Sequence, residues 1–257
     1  MNTKTMKERL CELAELEDLW DEIRNCTMLD QKNYNIHAIE DISYIAYWTL
    51  KEECNCIHVD HPSNGYVSDD NECQLHSSIQ NYKEILIILE SPHINDYTYT
   101  LESAYEISPT LEAINQYKEL LFTKLVNLKV IVPNEYYIIK VIDPVPYMAS
   151  LGRNQRVLEN KTITYRVWNA IWENFGYADK FTEKIRSLPS GSIILNACTN
   201  YKPEDIKINR PKNSLQMVIL SNIFNQTYYA ELSHPASMRY NNSIYNFENS
   251  IQNIMLI

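Results

Sequence analysis

Three observations predict an α/β fold built on a central, mostly parallel sheet. Four short runs, Glu84–Leu89, Tyr136–Ile142, Ser192–Asn196 and Tyr228–Leu232, are too continuously apolar or β-branched for strands with one wet face. Helical periodicities separate them. Hydrophobic residues make up 45% of the 257, enough for a core and incompatible with wholesale disorder. Strand–helix alternation implies right-handed crossovers. The expected architecture is a three-layer sandwich around a four-stranded sheet, with an N-terminal helical extension.

Charge marks the edge of that extension. The chain holds 23 Lys+Arg against 33 Asp+Glu, a balance of −10. Residues 1–80 carry six basic and sixteen acidic side chains; residues 81–257 carry seventeen of each. The expected division is therefore an acidic, mainly helical segment 1–80 and an α/β domain 81–257. Within the first, Leu10, Leu13, Leu16, Leu19, Trp20 and Ile23 recur at helical spacing. A second helix is expected over Ile39 to Leu50, with Ile42, Ile45, Ala46 and Leu50 inward. Pro62, Gly65 and Ser68-Asp69-Asp70-Asn71 mark residues 54–81 as a loop.

Between the four strands lie three helical patterns. Leu111, Ile114, Tyr117, Leu120, Leu121, Leu125 and Leu128 form the first. Tyr165, Trp168, Ile171, Trp172 and Phe175 form the second, whose aromatics read as core packing. Leu215, Val218, Ile219, Asn222 and Ile223 form the third.

Composition narrows the function. Four glycines in the whole chain leave no Walker or GxGxxG phosphate loop. A net charge of −10 argues against a general nucleic-acid coat or a binder of anionic membranes. Residues 140–212, however, carry twelve basic and seven acidic side chains. Local fields govern an encounter with phosphate, so a nucleic-acid or nucleotide partner stays open. The start MNTKTMKERLCELAEL lacks a signal-peptide core, and the run Ile85–Leu89 is too short to span a bilayer. A cytoplasmic protein with reduced cysteines and no membrane contact is expected.

Ligands of open parallel sheets bind beyond the carboxyl ends of the strands. Those ends read Glu90-Ser91-Pro92-His93, Asp143-Pro144-Val145-Pro146-Tyr147, Asn196-Ala197-Cys198-Thr199 and Ser233-His234-Pro235-Ala236-Ser237. A carboxylate, an amide and imidazoles converge on one edge. Each has a plainer alternative. Glu90 and Ser91 suit a helix N-terminus, Asp143 an Asx turn, Asn196 a loop brace, and His93 or His234 a hydrogen-bonded turn.

This arrangement resembles the uracil-DNA glycosylase superfamily, through Glu90-Ser91-Pro92-His93 after the first strand and His234-Pro235-Ala236-Ser237 after the last. The resemblance spans roughly residues 81–257. It implies hydrolysis of a base–sugar bond after the base enters a pocket, in modified or foreign DNA, during repair or defence. Glu90 would position water and stabilise the sugar cation, and His234 would stabilise the departing base. Substrate would be held by Ser91, Pro92, His93, Tyr97, Asp143, Tyr147, Asn196 and Ser237. The family's glycine at the start of the first motif is Leu89 here, and Met238-Arg239-Tyr240 stands where an apolar wedge is expected. Two other readings remain open. One is a nucleotide-binding sensor without turnover; the other is a protein-interaction or inhibitor module using the acidic residues 1–80.

The implied chemistry requires no cofactor. The loop nevertheless holds Cys54-x-Cys56-x-His58-x-x-His61 and Cys73-x-x-His76, donors that suit a structural zinc. Their spacing is not that of a common finger, and the alternative is a surface loop with scattered Cys and His.

Overall fold

The computed structural model describes residues 42–51, 54–60, 82–92, 109–146, 161–198, 211–223, 227–235 and 252–257. The strands are β1 (Ile42–Lys51), β2 (Cys54–Asp60), β3 (Tyr82–Ile88), β4 (Tyr136–Ile142), β5 (Ile193–Asn196), β6 (Tyr228–Glu231) and β7 (Gln252–Leu256). The helices are α1 (Pro109–Asn127), α2 (Lys161–Asn174), α3 (Tyr177–Arg186) and α4 (Pro211–Asn222). All seven strands form one sheet in the order β2-β1-β4-β3-β5-β6-β7.

The four expected strands are β3 to β6. They lie side by side and run parallel: Ile85 stands opposite Ile139 on one side and Ile193 on the other, and Ile193 opposite Tyr228. The expectation of a four-stranded sheet is corrected, however. β1 and β2 add antiparallel beyond β4, and β7 adds antiparallel beyond β6, so the sheet is mixed.

Two further expectations fail in the same place. The segment read as a helix over Ile39 to Leu50 is strand β1, and the start of the expected loop is strand β2. β1 is rich in β-branched and aromatic residues, such as Tyr44, Ile45, Tyr47, Trp48 and Thr49, which favour a pleated surface, and β2 adds Ile57 and Val59. Pairing with β4, from Ile42 opposite Val141 to Tyr47 opposite Tyr136, overrides the weak helical spacing. Ile42–Lys51 and Cys54–Asp60 thus belong to the same sheet as the later strands. The pattern Leu10–Ile23 lies outside the described residues.

Alternation along each strand sends side chains to two covered faces. Ile85, Ile87, Tyr137, Ile139, Val141 and Leu195 pack against Leu111, Ile114, Leu121, Phe122 and Leu125 of α1. Leu86, Ile88, Ile194 and Tyr229 pack against Trp168 and Trp172 of α2, Phe181 and Ile185 of α3, and Leu215 and Ile219 of α4. Trp168 and Trp172 stack with ring centroids 5.2 Å apart, the core role read for them. Helix α3 was not anticipated. Its apolar pair Phe181 and Ile185 sits at i, i+4, and Gly176, with φ 79°, turns the chain from α2 into it.

Candidate functional site at the sheet switch point

Strand order locates the site. From β3 the chain crosses to β4 by way of α1, on one face. From β4 it returns past β3 to β5 by way of α2 and α3, on the other face. The winding direction therefore reverses between β3 and β5. The carboxyl edge at such a point is the usual ligand position in open sheets.

Three backbone hydrogen bonds carry the ladder one row past the strands. Leu89 N–H donates to Ile142 O at 2.9 Å, Ala197 N–H to Ile88 O at 2.8 Å and Leu232 N–H to Asn196 O at 3.0 Å. The residues beyond this row stand along the carboxyl edge of the sheet in the order Asp143, Glu90 with Ser91, Cys198, then Ser233 with His234. Glu90 and Cys198 stand at the switch point itself.

Glu90 is 1% exposed. Its carbonyl oxygen accepts the indole N–H of Trp168 at 3.0 Å, so α2 braces the turn that carries the carboxylate. Ser91 and Pro92 are also buried. Among the described residues the Ser91 hydroxyl has no hydrogen-bond partner. Asp143 is half-buried after β4.

Asn196 is fully buried and engaged within the chain. Its Oδ1 accepts the Cys198 N–H at 3.2 Å, and its Nδ2 donates to the Tyr229 hydroxyl at 3.4 Å. It braces the end of β5, the plainer of its two readings. Burial raises the Tyr229 phenol above its ordinary range, partly offset by the hydrogen bond from Asn196.

His234 is half-buried at the end of β6, with Pro235 buried beside it. Pro235 closes an apolar cleft against Ile114, Tyr117 and Leu121 of α1, together with Ile87 and Leu232. That contact anchors the start of the H-P-A-S segment. Glu90 and His234 sit on strands with β5 between them, a backbone separation of about 10 Å at ordinary strand spacing. Two groups so placed span a molecule of nucleoside size. His93, Tyr97, Tyr147 and Ser237 lie outside the described residues.

Sequence reasoning placed Glu90, Asp143 and His234 on one edge and missed that Trp168 braces Glu90 and that Cys198 neighbours it along that edge. Trp168 stood out only as one apolar position in a helical row, and Cys198 only as a residue after a strand. Their spatial relation to Glu90 depends on strand order, which periodicity does not carry.

The zinc expectation changes shape. Cys54, Cys56 and His58 occupy alternate positions of β2 instead of a loop, hence one face of a strand. His61, Cys73 and His76 lie outside the described residues. Among the described residues no group of three or more His, Cys, Asp or Glu side chains is placed to hold a metal ion, and no helix is long and apolar enough to cross a membrane.

In comparisons with known proteins, no family model, no curated protein and no solved structure matches this chain.

Proposed function

We propose that the crevice binds a nucleobase-containing molecule and hydrolyses its base–sugar bond. The observation that carries this is a buried carboxylate, Glu90, at the switch point, with His234 two strands along the same edge. Water attacks the anomeric carbon as the glycosidic bond breaks. The water gives its proton to Glu90, whose negative charge also stabilises the sugar cation. The bonding pair leaves with the base. His234 stabilises the base anion by a hydrogen bond, and the base is released after taking up a proton. Ser91 offers an unused hydroxyl for orienting substrate, a better candidate than Asn196, whose amide is occupied. DNA carrying a modified or foreign base is the polymer this chemistry would serve, in repair or defence.

Near-complete burial of Glu90 favours a second reading, in which the crevice binds a nucleotide without turnover. One experiment separates them. Free base is assayed from modified single- and double-stranded DNA and from nucleosides, with wild type, Glu90→Gln and His234→Ala. Hydrolysis predicts release by wild type and a loss on the order of 100-fold or more in each variant. Saturable binding without release supports the sensor. Equal release by all three chains ends the hydrolase proposal.

A further inference from the structure

The peptide that joins Glu90 to Ser91 carries both groups that the proposed reaction uses at the switch point. Its carbonyl belongs to Glu90 and its N–H to Ser91, and resonance keeps the unit planar. The tilt of this one plane therefore sets the starting direction of the carboxylate and of the hydroxyl. On its amino side the chain is fixed by the sheet, where Leu89 N–H donates to Ile142 O at 2.9 Å. On the other side stands Pro92, whose ring disfavours the helical region for Ser91. The plane itself is gripped by the indole N–H of Trp168, which donates to the Glu90 carbonyl at 3.0 Å.

Trp168 is built to hold that donor still. It is fully buried, in the core cluster that includes Leu86 and Ile88 of β3. Its ring stacks on Trp172 with centroids 5.2 Å apart and 20° between the planes, and Trp172 meets Phe181 of α3 edge-on at 5.6 Å. A ring with two side-chain torsions, closed in on this way, offers its N–H in one direction. Phenylalanine or leucine would fill a core position without a donor. The indole adds a single polar atom, and that atom is directed at the carbonyl of the residue that bears the carboxylate.

We propose that Trp168 is a positioning residue for this site: its N–H holds the Glu90–Ser91 peptide in the alignment that the substrate meets. The effect on rate rests on the hydrolase reading; the hold on Glu90 rests on the hydrogen bond alone. The indole touches neither the attacking water nor the base. Losing its N–H therefore leaves every reacting group present but misaligned, which lowers kcat more than it raises KM.

Trp168→Phe removes the N–H but also leaves a cavity, so the deciding chain carries benzothienylalanine at position 168, a tryptophan isostere with sulfur in place of the ring nitrogen. Base release from nucleosides gives kcat and KM. Amidation by a water-soluble carbodiimide and glycinamide, mapped by peptide mass spectrometry, reports how far Glu90 is shielded. Glu84, buried toward the opposite ends of the strands, is the control for general loosening. In the isostere kcat should fall about 10- to 100-fold with KM within about threefold of wild type. Amidation of Glu90 should rise while that of Glu84 stays as in wild type. An isostere that keeps the wild-type kcat, or leaves Glu90 as shielded as before, overturns the proposal. So does a rise at Glu84 that matches the rise at Glu90. If no chain releases base, the hydrolase reading fails by itself; a selective rise at Glu90 then still upholds the hold of Trp168, and unchanged amidation there overturns it.

Discussion

The amino ends of the central parallel strands and the Ser91 turn beyond their carboxyl ends differ in what replaces water around a buried polar group. Toward the amino ends, several such groups are met inside the chain. The Glu84 carboxylate takes the Lys140 ammonium at 3.1 Å, with both side chains about nine-tenths buried. The backbone N–H of Glu84 donates to Ser192 Oγ at 3.1 Å, Lys83 pairs with Glu135, and the Tyr137 hydroxyl accepts the Val132 N–H at 2.9 Å. Beyond the carboxyl ends stand Glu90, Ser91, Asp143 and His234, and the Ser91 hydroxyl meets no partner among the described residues. Burying a polar group costs free energy unless a partner replaces water. The pairs at the amino ends meet that cost with protein partners. The Ser91 hydroxyl leaves it for a ligand to offset.

The largest effect should come from breaking the paired half. Lys140→Ala leaves the Glu84 carboxylate buried without its cation and should cost about 3–5 kcal/mol in urea unfolding. Replacing both partners, Glu84→Leu with Lys140→Met, removes the two charges together and should restore most of that loss. Glu90→Gln, at the other end, should stay within about 1 kcal/mol of wild type. If Glu90→Gln destabilises as much as Lys140→Ala, Glu90 is a structural charge like Glu84, and the contrast between the two ends fails.

The same contrast explains what was legible in the sequence. Buried parallel strands announce themselves by continuous apolar runs, so Ile85–Leu89 and Tyr136–Ile142 were readable, and chain order delivers their ends to one edge. β1 was misread because Ile42, Ile45, Ala46 and Leu50 also satisfy a helical spacing; the choice is made by hydrogen bonding to β4, almost a hundred residues away. The Glu84–Lys140 pair was invisible for a related reason. Lys140 interrupts an apolar run and looks like a blemish until the register puts it one pair of rows from Glu84 on the neighbouring strand. Glu90 could be placed at a strand end, but its standing at the switch point rests on the order β4-β3-β5-β6, which no local pattern encodes.

Alkaline unfolding sharpens the comparison at a smaller scale. Burial pushes the Tyr137 phenol from 10.0 up to about 12, and it raises Tyr229 as well. The unfolded chain releases both phenols to their ordinary range, so it sheds protons first as pH climbs. The stability these groups contribute is complete below pH 10 and is lost as pH rises toward 12. Tyr137 alone should account for about 2–3 kcal/mol of that loss. Denaturant midpoints measured at successive pH values should fall steeply in wild type and less steeply in Tyr137→Phe. An unchanged slope in that variant would show that the phenol beneath α1 is not the group holding its proton.

Two serines provide the finest test, because the same substitution should act with different sign at the two ends. Ser192 is fully buried and its oxygen is the acceptor for Glu84 N–H. Ser192→Ala strands that donor and should cost about 1–2 kcal/mol. Ser91 is nearly as buried, but its hydroxyl meets no partner among the described residues. Ser91→Ala removes a polar group whose desolvation is not offset, so it should be neutral or stabilise by up to about 1 kcal/mol. A stabilised Ser91→Ala that also binds nucleosides more weakly would mean that the hydroxyl is kept for a ligand at the expense of the fold. Equal destabilisation by both substitutions would mean that Ser91 has a structural partner, and the crevice would then lose the hydroxyl assigned to orienting its substrate.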